Sequence, residues 1–424
     1  MKRLFTYMML LLTIVVFNAC FPCSEDERNE RTVIMYMDAN NNLSPYADTN
    51  LNDILENASD ENMKHGRLLV FLNTGQNKRL YEVKPFRSDK GANRGDTTLL
   101  ATFTFNNALT KEAMREVISK ATKTAPADET VLILWSHSTG WMPSDISIKE
   151  SGFSRGATER SAIEAERSAI EAERSAIEAG MPITKTFGMD GKNQISYEDL
   201  ATALDGLGID MVAIDACFGT CVEALYDLRH CCDYVLGSPI EILGEGYPYA
   251  DLMNLFFDKD TDIETLGRQM GAAYMRYYRN YTFNGKLYPY GAISLIDMSQ
   301  MEDLASVTRS LIQKYPDNSV VHSQIQSLEN RYYSIFFDFE HYMRSLIPED
   351  EKLMQDFTTQ LSQTVLFHDH TESLYSNLNG YSTRLLEHSC GLSSYIPRPG
   401  FSEYFDRCDE AYFQTNWSKM IYNR

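Results

Sequence analysis

Apolar residues in this chain gather into short unbroken runs, and two of the runs stop at a reactive side chain. Thr130-Val131-Leu132-Ile133-Leu134-Trp135-Ser136 leads into His137, and Asp210-Met211-Val212-Ala213-Ile214-Asp215-Ala216 leads into Cys217. Both runs have the length of a strand and lack the alternation of a sheet with one wet face. They predict strands buried on both sides in a parallel sheet. In open sheets of that kind ligands bind beyond the carboxyl ends of the strands, so the pattern brings an imidazole and a thiol to one sheet edge.

The remaining pattern extends this reading. Residues 32–37 predict a first strand, 38–42 a turn, 44–57 a helix and 67–73 a second strand. Residues 80–86 and 97–105 read as a hairpin-like pair across a polar turn at 88–95. A helix capped by Thr110 follows over 110–122, with Met114 and Val117 inward. Strand, helix, strand, helix, strand is the order of an α/β sheet with right-handed crossovers. Beyond Cys217 come a helix at 222–229, a strand at 233–238, an aromatic loop at 245–249 and helices at 250–257 and 263–279. A strand at 291–296, helices at 301–314 and over much of 317–346, and closing strands at 363–368 and 391–396 complete the pattern. No clean linker divides it.

Between the two reactive strands, Glu-Arg-Ser-Ala-Ile-Glu-Ala starts at Glu159 and repeats unchanged from Glu166 and Glu173. One Ile per heptad with only Ala beside it is too thin a seam for a coiled coil. An exposed helix or disordered loop is expected instead. Residues 190–195 resemble half a calcium loop, but Asn193 occupies the required glycine and Gly188 the first ligand position, so a turn is expected. Ser196 opens the next helix, to residue 207, with a capping-box pattern.

Composition narrows the function. The chain has 424 residues, 43% apolar and 12% aromatic, enough for a large core. A formal charge of -20 excludes nucleic acid as an expected partner and suits basic peptides. Lys2 and Arg3 precede a short apolar stretch, then Asn18-Ala19-Cys20. This is the build of a secretory signal over residues 1–19. The end of it resembles a bacterial lipobox, which implies lipidation at Cys20; Cys23 is a poorer fit because Pro22 precedes it. Ser24-Glu25-Asp26-Glu27 resembles the acidic export tag of surface lipoproteins in some Gram-negative bacteria. An exported, membrane-anchored protein with a tether at 20–31 is therefore expected. Eight cysteines are too few for a disulfide scaffold, and none has a zinc-ligand spacing.

A thiol attacks as thiolate, and its free pKa is about 8.5. Cys217 ends a strand and is soon followed by a helix, whose N-terminus favours the anion. Among eight histidines His137 alone ends a neighbouring strand. The pair has the makings of a nucleophile and its base.

At these residues the chain resembles the clostripain-like cysteine peptidases, a branch of clan CD with a caspase-like fold. The matching pieces are Val33-Ile34-Met35-Tyr36-Met37, Leu132 to His137 with Gly140-Trp141, Ile214-Asp215-Ala216-Cys217 with Glu223-Ala224, Gly246-Tyr247-Pro248-Tyr249, Gly391 to Pro397, and Trp417. The resemblance implies a three-layer α/β/α sandwich around a mostly parallel sheet. It spans residues 32–424 as one peptidase domain, with an exposed insertion at 143–187 and a C-terminal subdomain at 300–424.

It further implies a Cys–His dyad, with Cys217 as nucleophile and His137 as base and proton donor. The oxyanion is then held by the backbone amides of Cys217 and Ser138. The family usually has glycine where Ser138 stands, and Trp where Tyr247 stands. Asp215 maps to the carboxylate that reads Arg or Lys at P1, and Glu245 is placed as a second acid. Family members often cut themselves between the His and Cys strands. Arg155, Arg160, Arg167, Arg174 and Lys185 offer such sites here. No cofactor is required for this chemistry; calcium serves some relatives, and its site in this sequence is unknown. Two readings stand beside the anchored endopeptidase. One is a surface lipoprotein with impaired catalysis that binds peptides or host proteins; the other is a different clan CD peptidase.

Overall fold

The structure, a computed structural model, describes residues 29–87, 91–142, 193–316, 320–330, 334–347, 351–377 and 382–423. The signal and Cys20, most of the tether, the repeats with Arg155, Arg160, Arg167, Arg174 and Lys185, and the calcium-like loop up to residue 192 lie outside them.

Nine strands form one sheet: β1 (Asn29–Asp38), β2 (Gly66–Asn73), β3 (Lys78–Lys84), β4 (Asp96–Thr102), β5 (Ala127–Trp135), β6 (Met211–Asp215), β7 (Tyr234–Gly237), β8 (Ala292–Asp297) and β9 (Val365–His370). Their spatial order is β9-β8-β7-β6-β5-β1-β2-β3-β4. β2, β1, β5, β6 and β7 are mutually parallel, and the outer strands on both edges run antiparallel. The unbroken apolar runs are the central strands. Val33 to Met37, Val131 to Ile133 and all of β6 are buried, as strands covered on both faces must be.

Helices cover the two faces. On one lie α1 (Ser44–Asn57), a single turn at Tyr249–Leu252 and α5 (Ile263–Arg279). On the other, α2 (Lys111–Thr124), α3 (Tyr197–Leu204) and α4 (Val222–Leu228) pack side by side, and α6 (Met301–Lys314), α8 (Lys352–Thr364) and α10 (Asn416–Tyr422) continue the layer. α7 (Phe339–Leu346) and α9 (Glu403–Tyr412) lie in the C-terminal part. This is the expected three-layer α/β/α sandwich. The expected caps are present: Thr110 accepts from Ala113 N and Ser196 from Asp199 N. One hydrophobic core runs from Val33 to Ile421, so residues 300–424 share it. Among the described residues no helix is long and apolar enough to cross a membrane.

Four sequence expectations are corrected. Among the described residues of the stretch 317–346, only Phe339–Leu346 is an α-helix; ahead of it, Phe337–Asp338 is a short strand paired with Ser393–Ser394. That pairing is all the strand there is within 391–396. The helix expected at 250–257 is the one turn Tyr249–Leu252, and the strand expected at 363–368 is β9, two residues later. In the first two cases tertiary contacts with the loop after Cys217 override local propensity.

Candidate active site

The strand order reverses between β1 and β5: β2 lies on one side of β1, while β5, β6 and β7 follow on the other. The crevice at the carboxyl ends of such strands is where open sheets bind ligands. Register aligns the site. Met37 pairs with Trp135, and Trp135 with Asp215. His137 and Cys217 each stand two residues beyond that level, just past the ends of adjacent strands.

His137 is buried, and its Nε2 lies 2.6 Å from Asn42 Oδ1, in the loop after β1. Cys217 has no exposure, and its sulfur accepts the amide of Ile242 at 3.2 Å. An N–H aimed at sulfur favours the thiolate. α4 begins at Val222, five residues on, with Cys221 at its N-cap, and the sulfur also lies 3.8 Å from the Ile242 carbonyl oxygen. Cys221 is buried too, and burial first, then the Glu223 charge, pushes its thiol well up; it is an inert thiol. None of the six described cysteines forms a disulfide.

The turn that carries the sulfur is gripped from two sides. Phe218 N donates to Ile240 O and Thr220 N to Ser238 O. On the opposite side Ser393 N donates to Thr220 O, and Thr220 Oγ1 to Gly391 O. Phe218 has φ +54°, a left-handed conformation unusual for an aromatic residue. Its ring stacks on Phe336 at 4.1 Å. Phe336 also presses on the other loop. Gly140 has φ +60°, and a Cβ there would come within 2.8 Å of the Phe336 ring and 3.3 Å of Cys221 Sγ. Only glycine fits that place.

Ser138 has no positive φ; among the described residues Phe218, Asn284 and Asn423 alone do without being glycine. Serine in place of the family's usual glycine therefore imposes no left-handed backbone. Its Oγ accepts Gly140 N at 3.1 Å.

Asp215 is fully buried, and its Oδ2 accepts the Tyr249 hydroxyl at 2.7 Å and Tyr247 N at 3.3 Å. Burial, and after it the Asp215 charge, pushes the hydroxyls of Tyr247, Tyr249 and Tyr274 well up. Tyr247, where the family commonly has Trp, places its hydroxyl 3.2 Å from the carbonyls of both Ile214 and Leu236. Glu245 accepts from Tyr281, and its carbonyl accepts Asn50 Nδ2, while Asn50 Oδ1 accepts Trp135 Nε1 at 2.8 Å. Trp135, two residues before His137, is thus tied through α1 to the Glu245 loop. Burial and the charge of Glu245 push Tyr277 up to about 12. Burial first, then its neighbours Tyr274 and Glu245, push the Tyr278 hydroxyl well up; that hydroxyl donates to Gly246 O.

Glu223, noted in the sequence only as part of a matching piece, lies at the start of α4. Its Oε1 accepts Tyr395 N at 2.8 Å and Ser394 Oγ at 3.3 Å, and burial pushes its carboxyl up to about 7. Sequence reasoning missed Asn42 and Phe336. The run Asn40-Asn41-Asn42 at the end of a parallel strand was the available signal for the first; the second had none. Among the described residues no three His, Cys, Asp or Glu side chains converge as metal ligands.

The sequence profile of the clostripain family, peptidase family C11, matches residues 35–178 and 175–421. Among solved structures, the chain is similar to an inactive zymogen C11 protease from Parabacteroides distasonis, at 26% identity and a TM-score of 0.72, over 93% of this chain and 99% of that one. It is similar in fold to a secreted C11 cysteine protease from Bacteroides thetaiotaomicron, at 21% identity and TM-score 0.73 over the same shares. A structure of such a protease in complex with an irreversible peptide inhibitor aligns at 22% identity and TM-score 0.71, again over 93% and 99%. No curated protein is matched. The chain belongs to the clostripain family and is a cysteine peptidase.

Proposed function

We propose that the protein is an endopeptidase that cuts after Arg or Lys with Cys217 and His137 as its dyad. The observation that carries this is the register: parallel pairing of β5 with β6 sets the imidazole and the thiol at one height on neighbouring strand ends, at the point where the sheet order reverses. His137 takes the thiol proton, and the sulfur attacks the scissile carbonyl carbon. The oxyanion is held by the amides of Ser138 and Cys217. His137 then gives the proton to the leaving nitrogen, and water cleaves the thioester with the imidazole again as base.

Asp215, two residues before the nucleophile, is the counter-ion for a basic P1 side chain, with Glu245 as the second acid. The Tyr249 hydroxyl and the Tyr247 amide both donate to its Oδ2. A bound guanidinium would add a charge-assisted hydrogen bond to this carboxylate.

The sulfur of Cys217 is fully buried in the intact chain, and one similar structure is described as an inactive zymogen. Both support activation by a cut within 143–187, at Arg155, Arg160, Arg167, Arg174 or Lys185. The mature protein is exported and anchored through a lipid on Cys20; a Cys20→Ala protein still found in the membrane fraction would contradict the anchor. The second reading, a binding lipoprotein with impaired catalysis, loses its main motive now that Ser138 imposes no strain. Wild type, Cys217→Ala and His137→Ala, each offered substrates with P1 Arg, Lys, Asp and Asn, decide the matter. Turnover of the Arg and Lys substrates by wild type alone is expected. Activity in Cys217→Ala, or preference for Asp or Asn, would overturn the assignment.

A further inference from the structure

The imidazole of His137 is held by a residue ninety-five positions earlier. Asn42 follows β1, which pairs with β5 so that Met37 faces Trp135. Its own loop is fixed on both sides. Asn41 Nδ2 donates to Asp38 O and Leu43 N to Asn41 Oδ1, while Leu43 is buried and its carbonyl starts α1 by accepting Ala47 N. Across the strands, Ser136 Oγ donates to Asp38 O at 3.1 Å, tying the end of β5 to the end of β1. Both ends of the 2.6 Å contact between Asn42 Oδ1 and His137 Nε2 are therefore anchored to the central sheet.

An amide oxygen can only accept, so Nε2 must carry a proton in this contact. A neutral imidazole has one N–H, which leaves Nδ1 with the lone pair. We propose that Asn42 is the positioning residue of the dyad, holding His137 in the Nε2–H tautomer so that Nδ1 is the atom that takes the Cys217 proton. This rests on the dyad reading above. The proton then travels from sulfur to Nδ1, leaving thiolate and imidazolium, and from Nδ1 to the leaving nitrogen. The other proton stays on Nε2, in its hydrogen bond to the Asn42 oxygen, throughout. Because Asn42 is neutral, it orients the ring without adding a negative charge beside it, unlike a carboxylate in the same place.

Asn42 is exposed, so its replacement leaves the core intact. In Asn42→Ala, kcat is expected to fall on the order of 10²-fold, the scale of a displaced catalytic group, with KM little changed. Asn42→Asp, whose oxygen also accepts, is expected to recover most of that loss. Nitrogen-15 NMR on full-length Cys217→Ala protein, with His137 assigned by difference from a further His137→Ala change, is expected to show the Nε2–H tautomer, and a mixture once Asn42→Ala is added. An unchanged kcat in Asn42→Ala, an equally impaired Asn42→Asp, or a tautomer indifferent to residue 42 would each overturn the proposal. Failure of the dyad itself reads differently: Cys217→Ala or His137→Ala would then retain turnover whatever stands at position 42.

Discussion

Phe336 lies flat on Phe218, ring centroids 4.1 Å apart and planes 6° from parallel. Phe218 is the residue after the proposed nucleophile Cys217 and sits in a left-handed conformation. The same Phe336 ring closes on Gly140, three residues after the proposed base. One aromatic side chain from the C-terminal part thus touches both loops that carry the proposed dyad. The buried Glu329 carboxylate holds its backbone by accepting the amides of Ile335 and Phe336.

Phe336→Ala should therefore do two things. It removes a fully buried ring and costs about 3–5 kcal/mol of stability. It also frees the strained turn after Cys217, so kcat should fall more than KM rises. Phe336→Leu, which keeps most of the volume, should restore much of both. Chemical denaturation beside steady-state kinetics checks this. Unchanged kcat in a folded Phe336→Ala protein would show that the stack serves packing alone.

Ser138→Gly should have a small effect. The serine backbone needs no glycine conformation, so activity should change less than tenfold, with stability lowered by about 1 kcal/mol from added chain freedom and the lost Gly140 N contact. A large gain in kcat on this substitution, measured on a basic substrate, would mean that Ser138 does hamper the oxyanion site.

Glu223 makes stability depend on pH. Its carboxyl is raised from 4.5 to about 7 by burial. Below 4.5 it is protonated whether the chain is folded or not. Between 4.5 and about 7 the unfolded chain releases the proton while the folded one keeps it. Stability therefore falls as pH rises through that window and stays lower above it. Glu223→Gln keeps an acceptor for Tyr395 N and removes the ionisation. Its stability relative to wild type should grow from pH 4.5 to pH 8 by roughly 3 kcal/mol at most. Paired thermal melts at the two pH values test this, and a difference that does not grow with pH would refute it.

Much of this was legible in the sequence because the central strands are covered on both faces and so lack alternation. β1, β5 and β6 stood out as unbroken apolar runs, and caps at Thr110 and Ser196 marked their helices. The two candidate residues stood out with them, since each ends such a run. Asn42 escaped because its partner is distant in sequence and its neighbours read as turn residues. Phe336 escaped because the stretch 317–346 has the composition of a helix. Its place comes from packing on Phe218 and from the pairing of the next two residues, Phe337–Asp338, with Ser393–Ser394, which no local pattern encodes.

Processing of the insertion gives a further test. Wild type, followed on a gel while activity is recorded, should be cut between residues 143 and 187 as activity rises, and Cys217→Ala should stay whole. Replacing Arg160, Arg167 and Arg174 together by Ala should slow the cut while Arg155 and Lys185 remain. Full activity in uncut protein would remove the insertion from any role in activation.

The most direct measurement compares kcat/KM for two substrates that differ only at P1, Arg against Ala, in wild type and in Asp215→Asn. If Asp215 is the counter-ion beside the Cys217–His137 dyad, wild type prefers Arg by about 10²-fold or more, and most of that preference vanishes in Asp215→Asn. Faster cleavage of the Ala substrate by wild type, or a preference for Arg that Asp215→Asn leaves whole, would contradict it.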